Sequence, residues 1–244
     1  MAQERPPRLS LLLRELPSIP AVLASRLRRA RKVDLGLGEG GKLPPVMVLP
    51  GLLSSDSTTS FLRRTLEVNG FATYGAKLGF VTGITPEKLA KAEARLAQIF
   101  AQHGEKVVLV GWSLGGVFGR VLAQRHPQYV KMVVTLGTPF SGDRHANNAW
   151  RVYNALNDHT VDAPSLPDDP SSKPPVHTVA VWSAADGVIA PECARGHPDE
   201  RDTEHELSAN HIGLGCRRAA VEEIAGIVAR ELAHADAVQG GSTP

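Results

Sequence analysis

The run Lys106-Val107-Val108-Leu109-Val110-Gly111-Trp112-Ser113-Leu114-Gly115-Gly116 constrains this chain more than any other. It carries an apolar, β-branched strand straight into a helix through Gly-X-Ser-X-Gly, the pattern of a nucleophile elbow. A turn that tight forces the serine into a strained backbone conformation and leaves almost no room two residues before and after it, so glycine stands at both places. Ser113 is thereby expected at the carboxyl end of a buried parallel strand with its hydroxyl exposed, facing the positive end of the following helix. That placement suits attack on an acyl carbon. The alternative is a serine in an ordinary strand-to-helix turn.

The rest of the chain supplies the setting. Strand patterns at Val46–Pro50, Ala72–Ala76, Val130–Leu136, Val176–Ser183 and Glu204–Ser208 alternate with helical ones near 59–69, from 85 through 100, near 116–126 and near 212–233. This alternation predicts an α/β fold: a mostly parallel central sheet of about six strands with helices on both faces. With 244 residues and 42% hydrophobic content, one core suffices. The expected division is a basic helical extension and linker over 1–43, one domain over 44–236 with a small cap near 141–175, and a flexible tail over 237–244.

Serine needs a base, and the base needs a carboxylate to fix its tautomer. In an open parallel sheet such groups gather at the carboxyl ends of strands. Asp186, just beyond the strand ending at Ser183, is the expected acid, with Glu192 in the same loop as the fallback. Of nine histidines, His211 lies between the last strand and the closing helix, where a base can fold over Ser113; His205 is its rival. Developing oxyanion charge requires two preformed N–H donors. Leu114 follows the nucleophile and supplies one; Leu52, with Leu53 as the alternative, supplies the other from the sharp turn after the first core strand. Leu52, Leu53, Phe140, Val188 and Ile212 are expected to surround an acyl chain. Cys193 and Cys216 flank the acid and base loops, so a disulfide between them and two free thiols are both open.

Other chemistries are weakly supported. His197, His205 and His211 lie near Asp199, Glu200 and Asp202 in sequence, yet no helical His pair or Cys-X-X-Cys occurs, so no metal is expected. The 5% aromatic content is not interleaved with the basic residues, which argues against nucleic acid. Residues 1–32 hold eight arginines and lysines against Glu4 and Glu15. A helix from Ala21 to Lys32 can therefore lie peripherally on an anionic membrane, or pack on the domain through Val22, Leu23 and Leu27. The leucines near the start are cut by Arg14 and Glu15, unlike a secretion signal, and the expected location is the cytoplasm.

Taken together, Val46–Gly51, Val110–Gly116, Val134–Phe140, Asp186-Gly187-Val188 and His211–Leu214 resemble bacterial lipases and esterases of the α/β-hydrolase superfamily, in the order that family uses. The Gly-Trp-Ser-Leu-Gly-Gly and Thr-Leu-Gly-Thr-Pro-Phe segments are also similar to lipid deacylases of the GPI inositol-deacylase type. The resemblance implies hydrolysis of small-molecule or lipid carboxylic esters through an acyl-serine, without an organic cofactor. Acyl transfer or thioester hydrolysis would use the same residues, and a non-catalytic binding scaffold is the remaining class. Two departures stand out. Pro50-Gly51 replaces the His-Gly pair of many lipases, and the stretch between Phe140 and Val176 is short for a large lid, which favours smaller or more accessible esters.

Overall fold

The computed structural model describes residues 4–36 and 42–240; parts of the expected linker (37–41) and tail (241–244) lie outside them. Helix α1 (Leu9–Leu13), a 3₁₀ turn (Leu16–Ser18) and α2 (Ile19–Leu27) precede the domain. Then follow β1 (Val46–Leu49), α3 (Ser60–Val68), β2 (Thr73–Gly75), α4 (Pro86–His103), β3 (Val107–Trp112) and α5 (Leu114–Arg125). The chain continues through β4 (Val130–Leu136), α6 (Trp150–Leu156), β5 (His177–Trp182), α7 (Pro191–Arg195), β6 (Thr203–Glu206), α8 (His211–Cys216) and α9 (Arg218–Gly240).

The six strands form one parallel sheet in the order β2-β1-β3-β4-β5-β6. Strands β1, β3 and β4 sit in the middle, where both faces must be apolar. Their side chains alternate between two cores. Val46, Val48, Val108, Val110, Met132 and Val134 face α3 and α9, while Met47, Leu49, Leu109 and Val133 face α4 and α5. Burial on both faces is why these strands read as unbroken hydrophobic runs. Helix α4 shows its limits in sequence: Thr85 caps it through Lys88 N, Pro86 opens it, and Gly104 closes it at φ +65°.

Three elements differ from the sequence reading. The closing helix is two helices, because the chain breaks at Arg217 (φ −74°, ψ 131°), and α9 runs on to Gly240 through alanine-rich sequence. The acid loop contains α7, opened by Pro191. The N-terminal helix is α2, nine residues long, and it does not pack through Leu23 and Leu27. These are 60% and 92% exposed, whereas Ser25 is the residue it buries. None of the described helices is long and apolar enough to cross a membrane.

Candidate active site

Ser113 adopts φ 53°, ψ −123°, a sparsely populated conformation for an L-residue. Its surroundings enforce it: Ser113 N donates to Leu136 O at 2.8 Å, and Thr138 Oγ1 donates to Ser113 O at 2.9 Å. Helix α5 starts so close to β1 that a β-carbon on Gly115 would lie 2.2 Å from Leu49 O. Only glycine fits there.

The candidate acid and base come from two later connections. Asp186, after β5, is 1% exposed; its Oδ1 accepts from Val188 N (2.7 Å) and Ile189 N (2.8 Å), which leaves Oδ2 for His211 Nδ1 at 2.7 Å. The neutral imidazole therefore carries its proton on Nδ1 and presents Nε2 as an acceptor. Burial opposes the charged imidazole, but the Asp186 charge and hydrogen bond, with a smaller contribution from Glu15, hold its pKa above the ordinary histidine value. Gly137, at φ +52°, makes room for the pair: a β-carbon there would sit 3.0 Å from Asp186 Oδ2 and 3.1 Å from His211 Nδ1. Trp112, beside Ser113 in sequence, donates from Nε1 to His211 O at 3.2 Å, and the two rings lie 6.2 Å apart. This tryptophan packs on the base loop. Among the described residues no hydrogen bond joins Ser113 Oγ to the imidazole, a contact that commonly tightens only with substrate bound.

The rival assignments fall to other duties. His205 Nε2 contacts Glu231 Oε1 at 2.6 Å, and Glu192 is exposed on α7. Leu53 N donates to Val81 O at 2.7 Å, so it is not free to hold an oxyanion. Leu52 N has no acceptor among the described residues. Leu114 opens α5, and its N–H has no intrahelical partner. The neighbouring Gly51 faces the serine closely enough that a β-carbon there would be 3.7 Å from Ser113 Oγ.

Ser113, Leu52 and Leu114 border a cleft of about 430 Å³, whose apolar walls include Val117, Val121, Phe140, Tyr153 and Leu166. Its roof is the segment 141–171, tied to the body at several points. Arg125 grips Asp168 with two bonds (2.8 and 2.6 Å), Asn157 Nδ2 donates to Thr82 O, and Ser165 Oγ to Ile84 O. Arg120, fully buried in α5, reaches the carbonyls of Pro170, Ser171, Ser172 and Glu200 and stacks 4.1 Å over Phe140; burial lowers its pKa to about 10. Of the expected acyl-chain residues, Leu52 and Phe140 line the cleft, but Leu53, Val188 and Ile212 do not. Leu53, at φ 54°, is turned outward and is 49% exposed; Val188 packs with Ile189 and Ala190 beneath the acid loop.

Cys193 and Cys216 are both free and buried. Cys193 Sγ faces Glu4 Oε2 at 3.4 Å, whereas Cys216 sits near Arg28 on the far side of the base loop. No disulfide joins them, and burial pushes the Cys216 thiol up to about 11. The sequence-adjacent histidines also disperse, to the cleft (His197), to Glu231 (His205) and to Asp186 (His211). Among the described residues, no His, Cys, Asp or Glu cluster is arranged to hold a metal.

Glu15 escaped the sequence reading. It is 3% exposed, and its carboxylate accepts from Gly187 N (3.0 Å), His211 N (2.8 Å) and Ile212 N (2.9 Å). A lone acidic residue in a basic, leucine-rich stretch was the available signal.

Sheet, elbow and residue order define the α/β-hydrolase fold, and the chain has it. A family described as alpha/beta hydrolase fold matches residues 91–168. A triacylglycerol lipase from Pseudarthrobacter phenanthrenivorans is 33% identical over 114 residues, which cover 42% of this chain and 35% of that lipase. The matched stretch thus spans about a third of the curated relative. Among solved structures, a Rhizomucor miehei esterase superposes with a TM-score of 0.62 at 15% identity, covering 84% of this chain and 77% of that one. A monoacylglycerol lipase from Paleococcus ferrophilus gives 0.55 at 16% identity, covering 79% and 96%. Naproxen esterase from Bacillus subtilis gives 0.53 at 16%, covering 87% and 95%. These structures show the likeness of fold.

Proposed function

We propose that the protein hydrolyses carboxylic esters through an acyl-serine. The observation that carries this reading is the buried Asp186–His211 pair, 2.7 Å apart, bonded at His211 O by Trp112, the residue before a strained serine that lines an apolar cleft. His211 Nε2 takes the proton of Ser113 Oγ as the oxygen attacks the acyl carbon. Asp186 holds the imidazole and offsets its charge while Leu52 N and Leu114 N receive the oxyanion, each donor contributing about 3 kcal/mol. The imidazolium then protonates the departing alkoxide. Water, activated by the same base, cleaves the acyl-serine and restores the hydroxyl. The lipase and esterase relatives support an ester or lipid substrate, and the fixed roof favours an acyl chain small enough to enter beneath it. Transfer of the acyl group to an alcohol, or attack on a thioester, would use the same groups. A fluorophosphonate probe is expected to label Ser113 and no residue in Ser113→Ala; nitrophenyl esters are expected to turn over faster than acyl-CoA, with or without added alcohol. A folded protein that resists the probe would overturn the hydrolase reading.

We further propose that the outer side of residues 5–32 rests on an anionic lipid surface. Leu9, Leu13, Leu16, Ile19, Leu23 and Leu27 are all more than half exposed, and Arg5, Arg8, Arg14, Arg26 and Arg29 are exposed among them. The one acidic residue of the stretch, Glu15, turns inward to the loops of Asp186 and His211, and Glu4, just before the stretch, turns to Asp143 N. An apolar row amid unpaired positive charge matches anionic headgroups. Sedimentation with phosphatidylglycerol vesicles is expected to succeed at low salt, weaken at physiological salt and fail for the combined variant Leu9→Ser, Leu13→Ser, Leu16→Ser. Absence of salt-sensitive binding, or a leucine-dependent dimer in its place, would overturn the proposal.

A further inference from the structure

We infer that Glu15 is a positioning residue for the Asp186–His211 pair: its carboxylate fixes the acid loop against the base loop, and its charge supports the imidazolium formed during acyl transfer. This rests on the serine hydrolase reading above and adds to it a group from outside the triad.

The two loops leave different strands, β5 and β6, and each is ordered by bonds of its own. Asp186 is fixed within its own turn by Val188 N and Ile189 N. Asn210 caps the base helix by accepting from Gly213 N at 2.9 Å. Neither bond sets the distance between the loops. Glu15 does, because a single oxygen, Oε1, accepts both from Gly187, the residue after the acid, and from His211 itself, while Oε2 takes Ile212 N. The carrying segment is itself held to both sides, since Asn210 Nδ2 donates to Arg14 O and Asn148 Nδ2 bonds Pro7 O and Gly187 O.

A buried carboxylate is a costly way to make an anchor, several kcal/mol without partners, and a neutral side chain could have tied the segment down. The charge is useful where an imidazolium must form out of water. The charged groups that act on His211 are Asp186 and Glu15, and both favour its protonated form. The three N–H groups that meet the Glu15 carboxylate hold it in place beside the imidazole's backbone.

Two substitutions separate charge from geometry. Glu15→Gln removes the charge and sets an NH₂ group against a donor. It is expected to fold, to lose at least tenfold in kcat with little change in KM, and to shift the acid limb of the pH–rate profile for nitrophenyl acetate to lower pH. Glu15→Asp keeps the charge on an arm too short for all three N–H groups, so kcat falls while the acid limb stays near that of the parent. A folded Glu15→Gln with the parent's kcat, or with an unmoved acid limb, would overturn the inference and leave Glu15 an anchor only. If Glu15→Gln does not fold, Glu15→Asp decides: parental kcat in that variant overturns it equally. Fluorophosphonate labelling of the parent protein keeps the two ideas apart, because a parent that fails to label removes the hydrolase reading regardless of Glu15.

Discussion

The two sides of this site are built in opposite ways. The side of the proposed nucleophile is local: β3, the turn and α5 are contiguous, with Ser113 bonded to Leu136 and Thr138 and Gly115 pressed against Leu49. The acid and base side is assembled at long range, from a loop after β5, a helix after β6 and a carboxylate nearly 200 residues upstream of the imidazole. The difference teaches that the elbow is part of the core, so its geometry and the fold stand or fall together. The other side can be altered with the sheet left intact.

Four measurements test that contrast. Ser113→Ala deletes the hydroxyl alone and is expected to lower kcat/KM on nitrophenyl esters at least about a thousandfold with an unchanged melting temperature. A parallel loss of stability would mean the elbow needs its serine to fold. Asp186→Asn, on the long-range side, should cost on the order of a hundredfold to a thousandfold in kcat and leave the melt nearly as it was. Its pH dependence has a definite sign. An imidazolium cannot accept the serine proton, so the rate falls as pH drops through the His211 pKa, which Asp186 and Glu15 hold above the usual value. Removing the Asp186 charge moves that limb down in pH. By contrast, Gly115→Ala places a methyl group against Leu49 O and should destabilise the whole domain by about 3 kcal/mol, seen in urea unfolding. A cooperative melt unaltered by Gly115→Ala would break the claim that elbow and core are one unit. The smallest effect belongs to Leu23→Ser and Leu27→Ser, both exposed, at less than about 0.5 kcal/mol each by thermal melt.

What the sequence made legible follows the same line. The sheet could be read because its central strands are buried on both faces, and the turn at Ser113 because the glycines it requires stand beside it in sequence, although the bonds that hold it reach Leu136 and Thr138. That Asp186 and His211 meet is legible from their positions after strands. Leu53 was misjudged as a pocket residue because its orientation depends on the bridge between Ser54 and Val81, which no local pattern announces. The disulfide was left open because loop proximity to the site says nothing about which side of the loop each sulfur faces. Glu15 stands out in sequence only as an acid in a basic stretch; its partners are three backbone groups, which leave no trace in residue identity, so its contacts cannot be read there.

The guanidinium of Arg120 carries one more implication. It lies in α5, which starts one residue beyond Ser113, and donates to the carbonyls of Pro170, Ser171 and Ser172 where the roof ends, so lifting that roof would break these bonds. Loss of that one guanidinium would accordingly untie the last residues of the roof from the helix beneath them.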